Sequence, residues 1–199
     1  MPFAPEPVGL PGLAALSLGM AGFVGVLLLA RLRGRRAPSV ADSGRRNASI
    51  VWIVVQGVGI ACAGVGPIVV TRDPLSAPAL LSGAIVLMLM VAASALFDSA
   101  SRTMGRNWAL VARTRGDGTL VETGPFAYVR NPIYVALLLI LLALAIACGH
   151  LGSLVIALPV FAVGTAMRIR HEETVLRAAF GGAYDRYAAR VKRFLPGVF

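Results

Sequence analysis

Five apolar blocks, at residues 8–30, 48–70, 76–97, 132–148 and 151–167, govern what this chain can fold into. A helix needs about 20 predominantly apolar residues to cross the hydrocarbon core of a bilayer, with roughly 17 as the lower limit. The first three blocks meet that length comfortably and the last two reach the limit. Charged residues make up 14% of the chain and hydrophobic ones 57%, whereas a soluble domain carries about 25% charge. The expected fold class is therefore an all-α integral membrane protein with five transmembrane helices. A length of 199 residues suits one domain, with three N-terminal spans in 1–97 and a second half in 98–199. The last two blocks are separated by Gly149 and His150 alone, so they read as a tight helical hairpin.

The net charge of +10 does not point to nucleic acid, because the basic residues are interleaved with blocks long enough to span a bilayer. Membrane lipids, or an anionic substrate, are the better partners. Of the 19 Lys and Arg residues, all but Arg72 fall in three segments, 31–47, 98–131 and 168–199. The positive-inside rule places those three segments in the cytoplasm. The flank "MPFAPEP" has no basic residue and "RLRGRR" follows the first block, which favours an uncleaved span with its N-terminus outside over a signal peptide. On this reading the connection 98–131 is a cap on the cytoplasmic membrane surface, and it shares that face with the C-terminal tail. Cys62 and Cys148 lie inside apolar blocks and read as packing residues, and no metal site follows from them.

The fourth block begins "GPFAYVRNPIY". Asn131 before Pro132 reads as an N-cap followed by a proline at the first helical position. A helix start offers unpaired N–H groups and a positive dipole end that suit a carboxylate or phosphate, and Arg130 adds to that preference. Tyr128 and Tyr134 suit the boundary between water and lipid. The tail "RIRHEETVLRAAFGGAYDRYAARVKRF" keeps a helical period. Leu176, Phe180, Tyr184, Tyr187, Val191 and Phe194 share one face, which suits an amphipathic helix in the membrane interface. Arg168 and Glu172 are four apart and can pair on that helix. Glu172 and Glu173 with Arg130 could make a polar site at the cytoplasmic mouth, or the acidic residues could form a simple surface pair. His171, flanked by charges, reads as solvated.

The ordered set of Gly124-Pro125, an aromatic, Arg130-x-Pro132-x-Tyr134, a hairpin, Glu172-Glu173-x-x-Leu176, Phe180-Gly181 and Tyr184-x-x-Tyr187 resembles the isoprenylcysteine carboxyl methyltransferase family. Phospholipid N-methyltransferases share much of the same pattern. The resemblance covers residues 105–196 and implies S-adenosyl-L-methionine as methyl donor, with S-adenosyl-L-homocysteine as product, in a cofactor-binding catalytic half at 98–199. It assigns Gly124, Pro125, Tyr128, Arg130, Asn131, Pro132, Tyr134 and Glu173 to cofactor binding, and Arg168 and Glu172 to catalysis, with Arg170 a near neighbour of the arginine. Where the family usually carries histidine, this chain has Asn131 and Thr119. Asparagine can donate or accept a hydrogen bond but cannot carry charge.

The implied reaction is methyl transfer to a lipid-like acceptor, most like the carboxylate of a prenylated cysteine, with a lipid-headgroup amine as the alternative. A carboxylate is already ionised at neutral pH and needs only positioning, with Arg168 available to orient it. An amine must first lose a proton, and Glu172 is the candidate base. A non-catalytic protein that keeps the fold stays open at this point, and so does a membrane reductase with another cofactor.

Overall fold

The computed structural model describes residues 4–34, 43–105 and 119–194, with the backbone alone for 43–49. Six α-helices run through them: α1 (Leu10–Gly34), α2 (Ser43–Gly64), α3 (Ala77–Met104), α4 (Pro132–Cys148), α5 (Leu154–Phe180) and α6 (Gly182–Arg190). Short 3₁₀ turns at Gly124–Ala127 and Leu151–Ser153 lead into α4 and α5.

The all-α class holds, but the count of five spans is corrected. Among the described residues three helical stretches are long and apolar enough to cross a membrane: Leu10–Arg33, Ala77–Met104 and Leu151–Phe180. The other two blocks yield shorter apolar helices, Ile50–Gly64 and Pro132–Cys148. The second block is apolar beyond Gly64, yet its backbone is not helical there. Gly66 takes φ +150° and is followed by Pro67, which has no N–H to give a helix. The fourth block is bounded by Pro132 at its first position and by Gly149 in the left-handed region at φ +71°, a common helix stop. α3 runs on to Met104, which shortens the expected cap. Residues 106–118 of that cap, with Trp108, Leu110 and Val111, lie outside the described residues, as do the last residues of the tail.

α3 packs against both α1 and α4, and α2 packs against both α4 and α5. One core joins Phe23, Val86, Met90, Phe97 and Ile140 from α1, α3 and α4, with the Phe23 and Phe97 rings edge to face at 5.1 Å. A second joins Ala63, Leu141, Ala145, Ala157 and Phe161 from α2, α4 and α5. The bundle's two ends differ in chemistry. At one, Val8 pairs with Val70, the Glu6 N–H donates to Gly149 O, and His150 Nε2 lies 3.1 Å from Pro67 O. Arg72 belongs here, its N–H donating to Val8 O. At the other, Arg33 meets Asp98, and the start of α4 meets the far part of α5.

The α2–α5 contact is unusually close. A Cβ on Gly164 would lie 2.7 Å from the Gln56 backbone N, and one on Gly59 would lie 2.5 Å from that of Phe161. Backbone atoms cannot swing aside, so Gly164→Ala is expected to part the helices and destabilise the protein by about 1–3 kcal/mol. Denaturant unfolding in detergent micelles would show this; an unchanged midpoint would mean that the helices do not depend on the approach.

Candidate active site

The site is built where the entrance of α4 meets the far part of α5. Upstream of α4, a strap of residues 119–131 is held by the C-terminal segment. The Arg130 N–H donates to Lys192 O (2.8 Å), and the Asn131 N–H and Nδ2 both donate to Arg193 O (3.2 Å each), beside a parallel bridge between Val129 and Lys192. The expected side-chain cap is thereby corrected: Asn131 stands at the N-cap position but its oxygen makes no capping bond to α4, while its Nδ2 donates to the Arg193 carbonyl. Gly124 takes φ +59°, where a Cβ would sit 2.7 Å from Thr103 Oγ1. It turns the strap against the end of α3 in a conformation that other residues rarely adopt.

The tail's apolar stripe also differs from expectation. Tyr184, Tyr187 and Val191 are buried within the protein and pack with Leu120, Leu176 and Phe180, so this stripe faces the strap and α5. Tyr187 Oη donates to Phe126 O at 2.8 Å, and burial pushes that phenol well above its usual range, so it stays a donor. Arg190 ties the exposed side of the tail to Glu122 at 2.6 Å.

Two ion clusters follow. In the first, Glu173, only 5% exposed, gathers three arginines. Arg193 grips it with Nε and Nη2 at 2.8 and 2.9 Å, Arg130 Nη1 lies at 3.1 Å, and Arg177 Nη1 at 3.5 Å. Arg130 also donates to Tyr184 Oη, and Arg177 pairs with Asp185. Three guanidinium groups against the two carboxylates leave this corner positive. In the second cluster, Tyr134 Oη donates to Glu172 Oε1. Arg168 places Nη2 3.7 Å from the same oxygen, lies over the Tyr134 ring at 4.9 Å, and donates Nη1 to Gln56 Oε1 at 2.8 Å. Gln56 in turn donates Nε2 to Thr165 Oγ1 at 2.6 Å.

The structure thus brings together Arg130, Asn131, Pro132, Tyr134, Arg168, Glu172 and Glu173. Gly124 and Pro125 shape the strap's turn at one side, while Tyr128 is 70% exposed and stands outside both clusters. Helix phase separates the two neighbouring arginines, since Arg168 faces Tyr134 and Arg170 is exposed. His171, expected to be solvated, has Nε2 buried without a hydrogen-bond partner among the described residues. Sequence reasoning missed Gln56, Thr165, Arg177, Tyr184 and Arg193. A lone amide inside the run "VWIVVQGVGIA" was a signal for the first, because polar side chains inside apolar spans are commonly functional.

Arg130 Nε is buried and, among the described residues, has no hydrogen-bond partner. A charged donor held this way suits an incoming carboxylate. Residues 81–183 match the family model described as phospholipid methyltransferase. The cobalt-zinc-cadmium resistance protein CzcN of Cupriavidus metallidurans is 36% identical over 95 residues. That alignment takes in 47% of this chain and 44% of the relative's length.

Proposed function

The chain belongs to the phospholipid methyltransferase family, and from that premise we propose that it methylates the amine of a lipid headgroup at the cytoplasmic membrane face. Membership implies S-adenosylmethionine as methyl donor. The single observation that favours an amine acceptor is the state of Arg168. A carboxylate acceptor, such as the prenylated cysteine expected from the sequence, asks for an arginine with donors turned toward it. Arg168 gives Nη1 to Gln56, turns Nη2 toward the Glu172 carboxylate at 3.7 Å and lays its face on Tyr134, so both terminal nitrogens are directed at this chain's own groups. What the second cluster offers an acceptor is the Glu172 carboxylate, a group that attracts an ammonium and can take its proton.

Arg130 would hold the donor's carboxylate, and Glu173 would fix Arg130 from its other side. Bound there, S-adenosylmethionine supplies an electrophilic methyl carbon whose bonding electrons leave with sulfur. Glu172 removes the ammonium proton and so frees the nitrogen lone pair for in-line attack. Tyr134 and Arg168 hold the Glu172 carboxylate in place, and positioning of this kind is worth several kcal/mol.

Isotope transfer from labelled donor to ethanolamine lipid in mixed vesicles tests the acceptor. Transfer to a farnesylated cysteine analogue instead would restore the carboxylate reading. Calorimetry with S-adenosylhomocysteine tests the donor site. Wild type is expected to bind, and Arg130→Ala to bind roughly 30-fold or more weakly, in line with loss of a charged hydrogen-bonding partner. Absence of binding by wild type would leave a non-catalytic membrane protein as the reading.

A further inference from the structure

We infer that Gln56 of α2 is a positioning residue for the Arg168–Glu172 pair, so that a helix outside the family match sets the geometry of the reacting end. The inference rests on the methyl-transfer reading above. The family match begins at residue 81, and Gln56 precedes it.

Three observations carry it. Gln56 is 2% exposed in an otherwise apolar stretch, where an unsatisfied amide costs several kcal/mol. Its orientation is fixed by chemistry. Arginine has no acceptor, so the atom facing Arg168 Nη1 must be the carbonyl oxygen, which leaves the amide nitrogen for Thr165 Oγ1. The backbone is shaped to bring it there. Gly164 lies against the Gln56 backbone and Gly59 against that of Phe161, three residues along each helix. At this separation the Gln56 side chain crosses to Arg168, one turn beyond Gly164.

The consequence concerns direction. The Tyr134 ring, Glu172 and Gln56 all hold Arg168. Of these, Gln56 comes from α2, while Tyr134 and Glu172 belong to α4 and α5. Losing Gln56 removes the restraint that draws the guanidinium away from Glu172, and a shift toward that carboxylate screens the group that must take the proton.

A purely structural Gln56 would serve as glue between α2 and α5 through Thr165. The test separates the two roles. Wild type, Gln56→Leu and Gln56→Glu are purified in detergent and assayed with ethanolamine lipid as acceptor over a range of pH, with S-adenosylhomocysteine binding measured in parallel. Gln56→Leu is expected to lower kcat by about 100-fold with donor binding and lipid KM changed by less than about threefold. Gln56→Glu keeps an acceptor for Arg168 and adds a negative charge near Glu172, beside Tyr134, Arg168 and His171. Drawing Arg168 away and adding that charge both make Glu172 hold its proton more tightly. Gln56→Glu should therefore recover activity at high pH, with the acid limb of its profile moved to higher pH. Equal kcat in Gln56→Leu and wild type, or a Gln56→Glu profile that superimposes on wild type, overturns the assignment. If Gln56→Leu fails to fold, the Gln56→Glu profile alone decides. A wild type inactive on every lipid acceptor overturns the methyl-transfer reading instead, and this inference with it.

Discussion

Replacing Glu172 by glutamine is expected to lower methyl transfer to an ethanolamine lipid by about 10²–10⁴-fold, the range typical of a lost general base. Glutamine keeps the shape of the side chain and can still accept from Tyr134, so the donor site built on Glu173 should survive. S-adenosylhomocysteine binding should thus stay near wild type while turnover collapses. The pH profile gives a second reading. A proton can be taken only by an ionised Glu172, so wild-type turnover should rise as pH climbs through its titration and fall on the acid side. The glutamine variant should lose that limb. A variant that turns over within about tenfold of wild type would remove the base from the scheme and favour an acceptor that is already anionic.

The second large effect is expected from Glu173→Ala, and on stability as well as binding. Glu173 is the common partner of Arg193, Arg130 and Arg177, and the Arg130 side chain is only 11% exposed. Removing one partner of a buried pair leaves an uncompensated charge, at a cost of about 3–5 kcal/mol. Here three guanidinium groups are left facing one another, and the strap that Arg130 and Asn131 anchor to residues 192–193 should loosen. Arg193→Ala should be milder, because that side chain is 39% exposed and two cations still balance the glutamate. Denaturant unfolding in micelles, with S-adenosylhomocysteine binding alongside, checks both. Equal losses for the two variants would mean that Glu173 has no role beyond its contact with Arg193.

Some of this architecture could be read from the residues. Among the described residues, Arg33 and Arg102 on Asp98 and Arg130, Arg177 and Arg193 on Glu173 lie at one end of the bundle, and Arg72 sits at the other. The entrance of α4 and the far part of α5 do meet, through Tyr134–Glu172 and Arg130–Glu173. The pairing of Arg168 with Glu172 followed from their spacing of four. Other features could not be read, for identifiable reasons. Hydropathy adds up residues without regard to backbone, so an apolar run through Gly66-Pro67 looks like continuous helix when α2 has ended at Gly64. Asn131 before proline is a sound capping pattern, but its side chain is engaged through Nδ2 by a carbonyl 62 residues away, and its oxygen makes no cap. Arg193 looked like one more charge on a basic tail, and only the turn after α6 brings it onto Glu173. Gln56 depends on two glycines letting α2 and α5 touch, a tertiary matter that no local pattern contains.

The stitch between residues 129–131 and 192–193 has a consequence for how the protein is made. The α4 entrance leaves the ribosome some sixty residues before the carbonyls that anchor it, and Glu173 appears before the arginine that grips it with two nitrogens. A growing chain can therefore insert and pack its helices while the pocket is still unfinished. Competence waits until Lys192 and Arg193 emerge and close the ring, so a nascent chain stalled just short of them would be membrane-bound yet unable to hold its methyl donor.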